Sequence, residues 1–237
     1  MIQTISRRLL IAGGAAALAS PRISWSAQER TSTLLDHILL GSADLDAGIA
    51  FVEEHTGVRA AFGGVHPGAG TRNALLSLGR NRYLEIIAPD PKQPASADSR
   101  DLRKLEKPVL VAWAAHPGDI ETFAKRLKSE GVALIGPKPG SRKRPDGRVL
   151  NWKTLALKDD AGGLLPFFIE WGANALHPSV DAPQGCSLTF FEAATPRPDT
   201  LLKQVDQLQL DLPITQAETP NLHAIITGPK GQLDVTF

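Results

Sequence analysis

One pattern of apolar runs recurs along this chain, and the recurrence restricts the fold more than any single motif does. Residues 34–41, Leu-Leu-Asp-His-Ile-Leu-Leu-Gly, read as a buried strand. Leu45, Ile49 and Val52 then share one helical face over 45–55, and Gly57 stands where a left-handed C-cap ends a helix. Strand-like runs follow at 58–62, 73–78 and 83–88, the last two joined by Gly79-Arg80-Asn81-Arg82. The order is β-α-β-β-β over residues 34–90. It returns over 108–178, with strands at 109–114, 132–135, 149–157 and 164–171 and a helix at 119–130 that lines up Ile120, Phe123 and Leu127. A third, similar run occupies 186–237, with its helix at 199–208. Residues 89–107 and 136–147, rich in Pro, Lys, Arg and Asp, read as a linker and a long loop. The class is α+β, built from repeated units.

Composition narrows the partners. With 237 residues and 42% hydrophobic content the chain can bury a sizeable core without disulfides. A net charge of +1 leaves no basic excess for neutralising phosphates, so no nucleic-acid partner is expected. The single Cys186 excludes an intramolecular disulfide and reads as core filling.

The first 27 residues read as an address. Arg7-Arg8 precede a short, weakly hydrophobic, Gly- and Ala-rich run, and Ala17-Leu18-Ala19 offers a small-residue cleavage site, with Ala27 as a second option. Paired arginines in that setting resemble a twin-arginine signal. The apolar run is shorter than the ~20 residues a bilayer requires, so no stable membrane anchor is expected after cleavage. The expected home is periplasmic or secreted. Cleavage takes three of the 26 basic residues, Arg7, Arg8 and Arg22, and leaves 23 against 25 acidic ones, a net −2.

Six stretches, three in each of the first two units, carry a family resemblance. Leu35-Asp36-His37-Ile38-Leu39-Leu40, Gly63-Gly64-Val65-His66-Pro67-Gly68-Ala69-Gly70-Thr71-Arg72-Asn73 and Tyr83-Leu84-Glu85-Ile86-Ile87-Ala88-Pro89 lie in the first unit. Ser141-Arg142, Pro145-Asp146-Gly147 and Leu165-Pro166-Phe167-Phe168-Ile169-Glu170-Trp171 lie in the second. These resemble the vicinal-oxygen-chelate superfamily, the glyoxalase and bleomycin-resistance fold, and its glyoxalase-like domain branch in particular. The resemblance implies that two units pair their sheets into a cupped half-barrel that holds a metal or a ligand.

It also implies where ligands come from: the first and last strands of each paired unit. His37, Glu85 and Glu170 are the metal-ligand candidates, and an imidazole with two carboxylates suits Zn, Fe, Mn or Ni. The sequence departs from the pattern at Val109-Leu110-Val111-Ala112-Trp113-Ala114-Ala115, which has no histidine on the first strand of unit two. His66 can supply a nitrogen from its loop. The competing reading is a metal-free cup in which His37 pairs with one glutamate and Arg72, Arg82 or Arg142 neutralises the other.

His66 is a candidate general base, and Glu170 a second catalytic group. Asn73, Arg142, Trp152 and Trp171 are the candidate substrate-binding residues: a lid arginine can clamp a carboxylate in two places, and two strand tryptophans can wall a pocket. His116 is expected to face solvent, and His177 to lie near the cup. The functional expectation is a metal-dependent lyase or isomerase acting on a small oxygen-rich molecule; the alternative is a metal-free protein of the same fold that binds or sequesters a small molecule. The third unit is expected to cover an open sheet edge or to mediate a homodimer.

Overall fold

The computed structural model describes residues 33–94, 101–144 and 146–237. The targeting reading of residues 1–27 lies outside them. Among the described residues no helix is long and apolar enough to cross a membrane.

The first unit runs β1 (Leu35–Gly41), α1 (Leu45–Thr56), β2 (Ala61–His66), β3 (Thr71–Ser77) and β4 (Tyr83–Pro89). Local chemistry sets its helix. The Asp44 side chain accepts from the Ala47 N–H at the start, and Gly57 closes it with φ 79°. The second unit runs β5 (Val109–Ala115), α2 (Ile120–Ser129), β6 (Leu134–Lys143), β7 (Val149–Leu157) and β8 (Phe167–Trp171). Asp119 caps α2 in the same way, accepting from the Thr122 N–H at 2.6 Å. A short helix that the sequence did not announce, α3 (Pro178–Asp181), follows β8.

The two units share one eight-stranded sheet in the order β2-β3-β4-β1-β5-β8-β7-β6. Within each unit the first strand runs parallel to the last, and β1 joins β5 antiparallel at the seam. Period-two alternation then decides which side chains face the concave side. On β4 these are Tyr83, Glu85 and Ile87, and on β8 Phe167, Ile169 and Trp171. Leu84, Ile86 and Phe168 point the other way, into the main core.

Two expectations change here. Residues 136–147 are not mainly a loop: 134–143 form β6. Its prolines are tolerated because it is the sheet's edge, where a missing N–H costs no ladder bond. The third run keeps its order as β9 (Ser187–Thr195), α4 (Pro198–Gln207), β10 (Ile214–Gln216), β11 (Asn221–Thr227) and β12 (Gln232–Thr236), but its sheet is β10-β9-β11-β12. Its first strand pairs with the second and third, not with the last. This sheet covers a face rather than an edge: Phe191 packs edge-on against Trp113 of β5, ring centroids 5.2 Å apart, and both belong to one continuous core.

Candidate active site

The concave side of the large sheet encloses a cavity of about 460 Å³. One polar cluster lies in its first-unit wall. His66 ends β2, Asn73 lies on β3, Glu85 on β4, and Arg142 reaches in from the opposite edge strand, β6. Arg142 can do so because Gly63 and Gly64 lack side chains: a Cβ on Gly63 would lie 2.5 Å from both Arg142 Nη1 and Asn73 Oδ1.

The hydrogen bonds form a directional chain. Arg142 Nη1 donates to Asn73 Oδ1 at 2.7 Å, which turns the amide nitrogen toward Glu85 and His66. That nitrogen donates to Glu85 Oε1 at 2.7 Å and lies 3.3 Å from His66 Nε2. An amide N–H facing Nε2 calls for a lone pair there. The ring proton is therefore assigned to Nδ1, which donates to the Thr71 hydroxyl at 2.9 Å. Burial holds the His66 pKa below its ordinary value despite the nearby Glu85 charge, so the ring is neutral near pH 7. Burial opposes the charge on Glu85, but the two histidines, the Asn73 hydrogen bond and Arg142 together outweigh it, and its pKa is lowered. The cluster thus presents a neutral imidazole lone pair beside a fixed carboxylate.

His37, only 2% exposed, stands on the other side of Glu85, its Nε2 3.6 Å from Oε2. It stacks on Tyr83 with centroids 4.4 Å apart and meets the edge of Phe167 at 5.5 Å. Its Nδ1 lies 2.7 Å from Asp36 Oδ1. The register shift between Leu35 and His37 marks Asp36 as a bulged residue. Asp36 Oδ2 also accepts from Trp171 Nε1 at 3.0 Å and lies 3.2 Å from His177 Nε2. Burial would raise the Asp36 pKa, but the bonds from His177 and His37 hold it far below the usual carboxylate range. His177 therefore braces this carboxylate from a smaller cavity behind the cup, and His116 is exposed beside it.

The expected metal set does not assemble. Glu170 lies on the convex face of β8, where its Oε2 accepts from the Ile120 N–H at the start of α2 at 2.7 Å. The reason is parity. Glu85 is the third residue of β4, whereas Glu170 is the fourth of β8, and a one-residue offset sends a side chain to the other face of a sheet. Opposite His37 and Leu39 the second unit offers only Ala114 and Ala112. His66 does not complete a triad either: His37 approaches Oε2 of Glu85 while His66 approaches Oε1, both at 3.6 Å, so the carboxylate stands between the rings. Among the described residues no three His, Cys, Asp or Glu side chains are disposed to hold a metal ion. The donors present do not fit the superfamily's metal.

Of the expected site residues, His37, His66, Asn73, Glu85, Arg142, Trp152 and Trp171 come together at the cup. Glu170 does not. Asp36, Tyr83 and Phe167 were not anticipated as site residues; Asp36 adjoins His37 in sequence, but only a bulge makes two neighbours on a strand share a purpose.

Paired β-α-β-β-β units around a concave ligand cavity define a protein of the vicinal-oxygen-chelate superfamily. Within it the chain belongs to the glyoxalase-like domain family, which residues 35–209 match. A hypothetical protein from Staphylococcus aureus shares the fold at TM-score 0.58 and 17% identity, over 85% of this chain and 84% of that one. Methylmalonyl-CoA epimerase from Mycobacterium tuberculosis aligns at TM-score 0.42 and 24% identity, over 59% of this chain and 87% of that one. A variant of the Streptomyces coelicolor methylmalonyl-CoA epimerase, in complex with 2-nitronate-propionyl-CoA, aligns at TM-score 0.45 and 24% identity, over 62% of this chain and 99% of that one. No protein of curated function matches the chain.

Proposed function

We propose that the protein is a lyase or isomerase that moves a proton on a carbon next to a carbonyl of a small oxygen-rich molecule. His66 and Glu85 of the first unit, with Arg142 from β6 of the second, carry the step. The observation behind this reading is the unprotonated Nε2 of His66, which meets only the Asn73 amide at 3.3 Å and is set beside the Glu85 carboxylate in a cavity that Arg142 also faces. His66 takes the C–H proton, and Glu85 stabilises the imidazolium that forms. The electron pair moves to the carbonyl oxygen, and the positive charge of Arg142, which lines the same cavity, stabilises the resulting enolate. Protonation of the other face by water entering the open cavity, with His66 giving its proton up to solvent, gives an epimer; loss of a leaving group from the next carbon gives a lyase product. No step requires a metal.

The test is solvent exchange. A panel of enolisable 2-oxo and 3-oxo acids is incubated in deuterium oxide and followed by proton NMR. Wild-type protein incorporates deuterium into at least one member, and His66→Asn and Glu85→Gln lose it. Incorporation unchanged in both variants would sink the proposal. We also propose export directed by residues 1–27, supported by the Arg7-Arg8 pair before a short apolar run; Arg7→Lys with Arg8→Lys should retain the protein in the cytoplasm of a bacterial host with twin-arginine export.

A further inference from the structure

We infer that the ligand of this cup is a small planar carboxylate, its aromatic or conjugated body lying against Trp152 and Trp171 and its carboxylate on Arg142. The inference rests on the proton-transfer reading only for what happens next, not for binding. Arg142 is 4% exposed and lines the cavity. Among the described residues its guanidinium makes one hydrogen bond, to Asn73, and no carboxylate oxygen comes within ion-pair distance. A guanidinium carries five N–H donors, and those of Arg142 that Asn73 does not take remain available at the cavity wall, where an anion can complete the set. A carboxylate matches the remaining fork in two parallel bonds.

The rest of the wall selects the body. Trp152 and Trp171 meet at 5.8 Å between centroids with their planes tilted by 58°, which forms an aromatic corner. Tyr83 and Phe167 continue that surface, and Ile87 and Ile169 supply its aliphatic parts. Flat π-systems pack on such surfaces with more contact than saturated rings do. At about 30 Å³ per water-sized group, 460 Å³ accommodates roughly 15 such groups, the scale of one ring with a short conjugated acid chain.

Isothermal titration calorimetry with three probes tests this: cinnamate, its neutral amide cinnamamide, and the saturated 3-cyclohexylpropionate. Wild-type protein should bind cinnamate at least about tenfold more tightly than either of the others, as loss of a charge-assisted fork implies. Folded Arg142→Gln, verified by circular dichroism, should bind cinnamate and cinnamamide alike. Trp152→Leu, which leaves the guanidinium in place, should keep the acid-over-amide preference and lose the preference for the flat ring. Equal affinity of wild-type protein for acid and amide, or a charge preference that survives in Arg142→Gln, overturns the inference, as does no cinnamate binding at about 10 mM, far above the range of specific small-ligand sites. Cinnamate has no acidic proton next to its carboxylate, so these outcomes are independent of the deuterium-exchange test, and either proposal can fail alone.

Discussion

The two halves of the cup have the same backbone and opposite chemistry. On β4 the concave side chains are Tyr83, Glu85 and Ile87; on β8 they are Phe167, Ile169 and Trp171. Tyr83 pairs with His37 across β1, and Phe167 pairs with Ala114 across β5. Tyr83 is thus matched by Phe167, Glu85 by Ile169, and His37 by Ala114, with the polar member in the first unit each time. A repeated fold divides its labour across the four central strands: β1 and β4 hold the acid–base groups and β5 and β8 an apolar surface, while Arg142 reaches the polar side from the far edge strand, β6. The difference also shows why a symmetric metal site fails here, since β5 and β8 contribute no donor to the concave face.

That division can be broken from either side. The largest effect belongs to the polar wall. Glu85→Gln should lower the exchange rate by about 10²- to 10⁴-fold, the usual weight of an acid–base partner, with the fold intact. Its counterpart Ile169→Val should leave the rate within about twofold and change affinity only slightly. Behind the polar wall, Asp36→Ala leaves His37, Trp171 and His177 facing a missing acceptor and should cost about 3–5 kcal/mol in chemical denaturation.

Acid provides a graded test of the same wall. His66 has a lowered pKa when folded, so its contribution to stability is present above its unfolded value of about 6.5 and is lost as pH falls from there through the lower folded value. Asp36 and Glu85 have depressed carboxyl pKa values, so their contribution is present above about 4 and is lost as pH falls further, through their folded values. Unfolding free energy measured against pH should therefore fall in two stages on the acid side, and His66→Asn should remove the upper stage and shrink the Glu85 part of the lower one. The smallest effect belongs to Glu170. Glu170→Gln keeps an acceptor for the Ile120 N–H and should cost about 1 kcal/mol or less, with exchange activity unchanged within about twofold.

Much of this was legible from residues alone. The repeat announced itself through periodicity, Gly57 and Asp119 mark helix ends that the structure keeps, and β7 runs over 149–157 as read. His37, His66, Asn73, Glu85 and Arg142 all reach the cup. What failed were matters of register and topology. Period two cannot say which glutamate faces inward when two strands start one residue apart, so Glu85 and Glu170 looked equivalent. Asp36 was hidden by a bulge, which leaves no local mark in Leu35-Asp36-His37. Prolines at 137 and 139 looked like loop because an edge position is a property of the whole sheet. The third run showed its element order, but strand pairing depends on which face has an unfilled core, and that became visible only with Trp113 and Phe191 in contact.

The central claim is that the acid–base chemistry resides on His66 and Glu85 of the first unit's wall and runs on the protein's own side chains. Deuterium incorporation in chelator-treated buffer, compared among wild type, Glu85→Gln and Glu170→Gln, tests it most directly. The account predicts exchange in wild type and in Glu170→Gln and its loss in Glu85→Gln. Exchange that survives Glu85→Gln and vanishes in Glu170→Gln, or that begins only when a divalent metal is supplied, would contradict it.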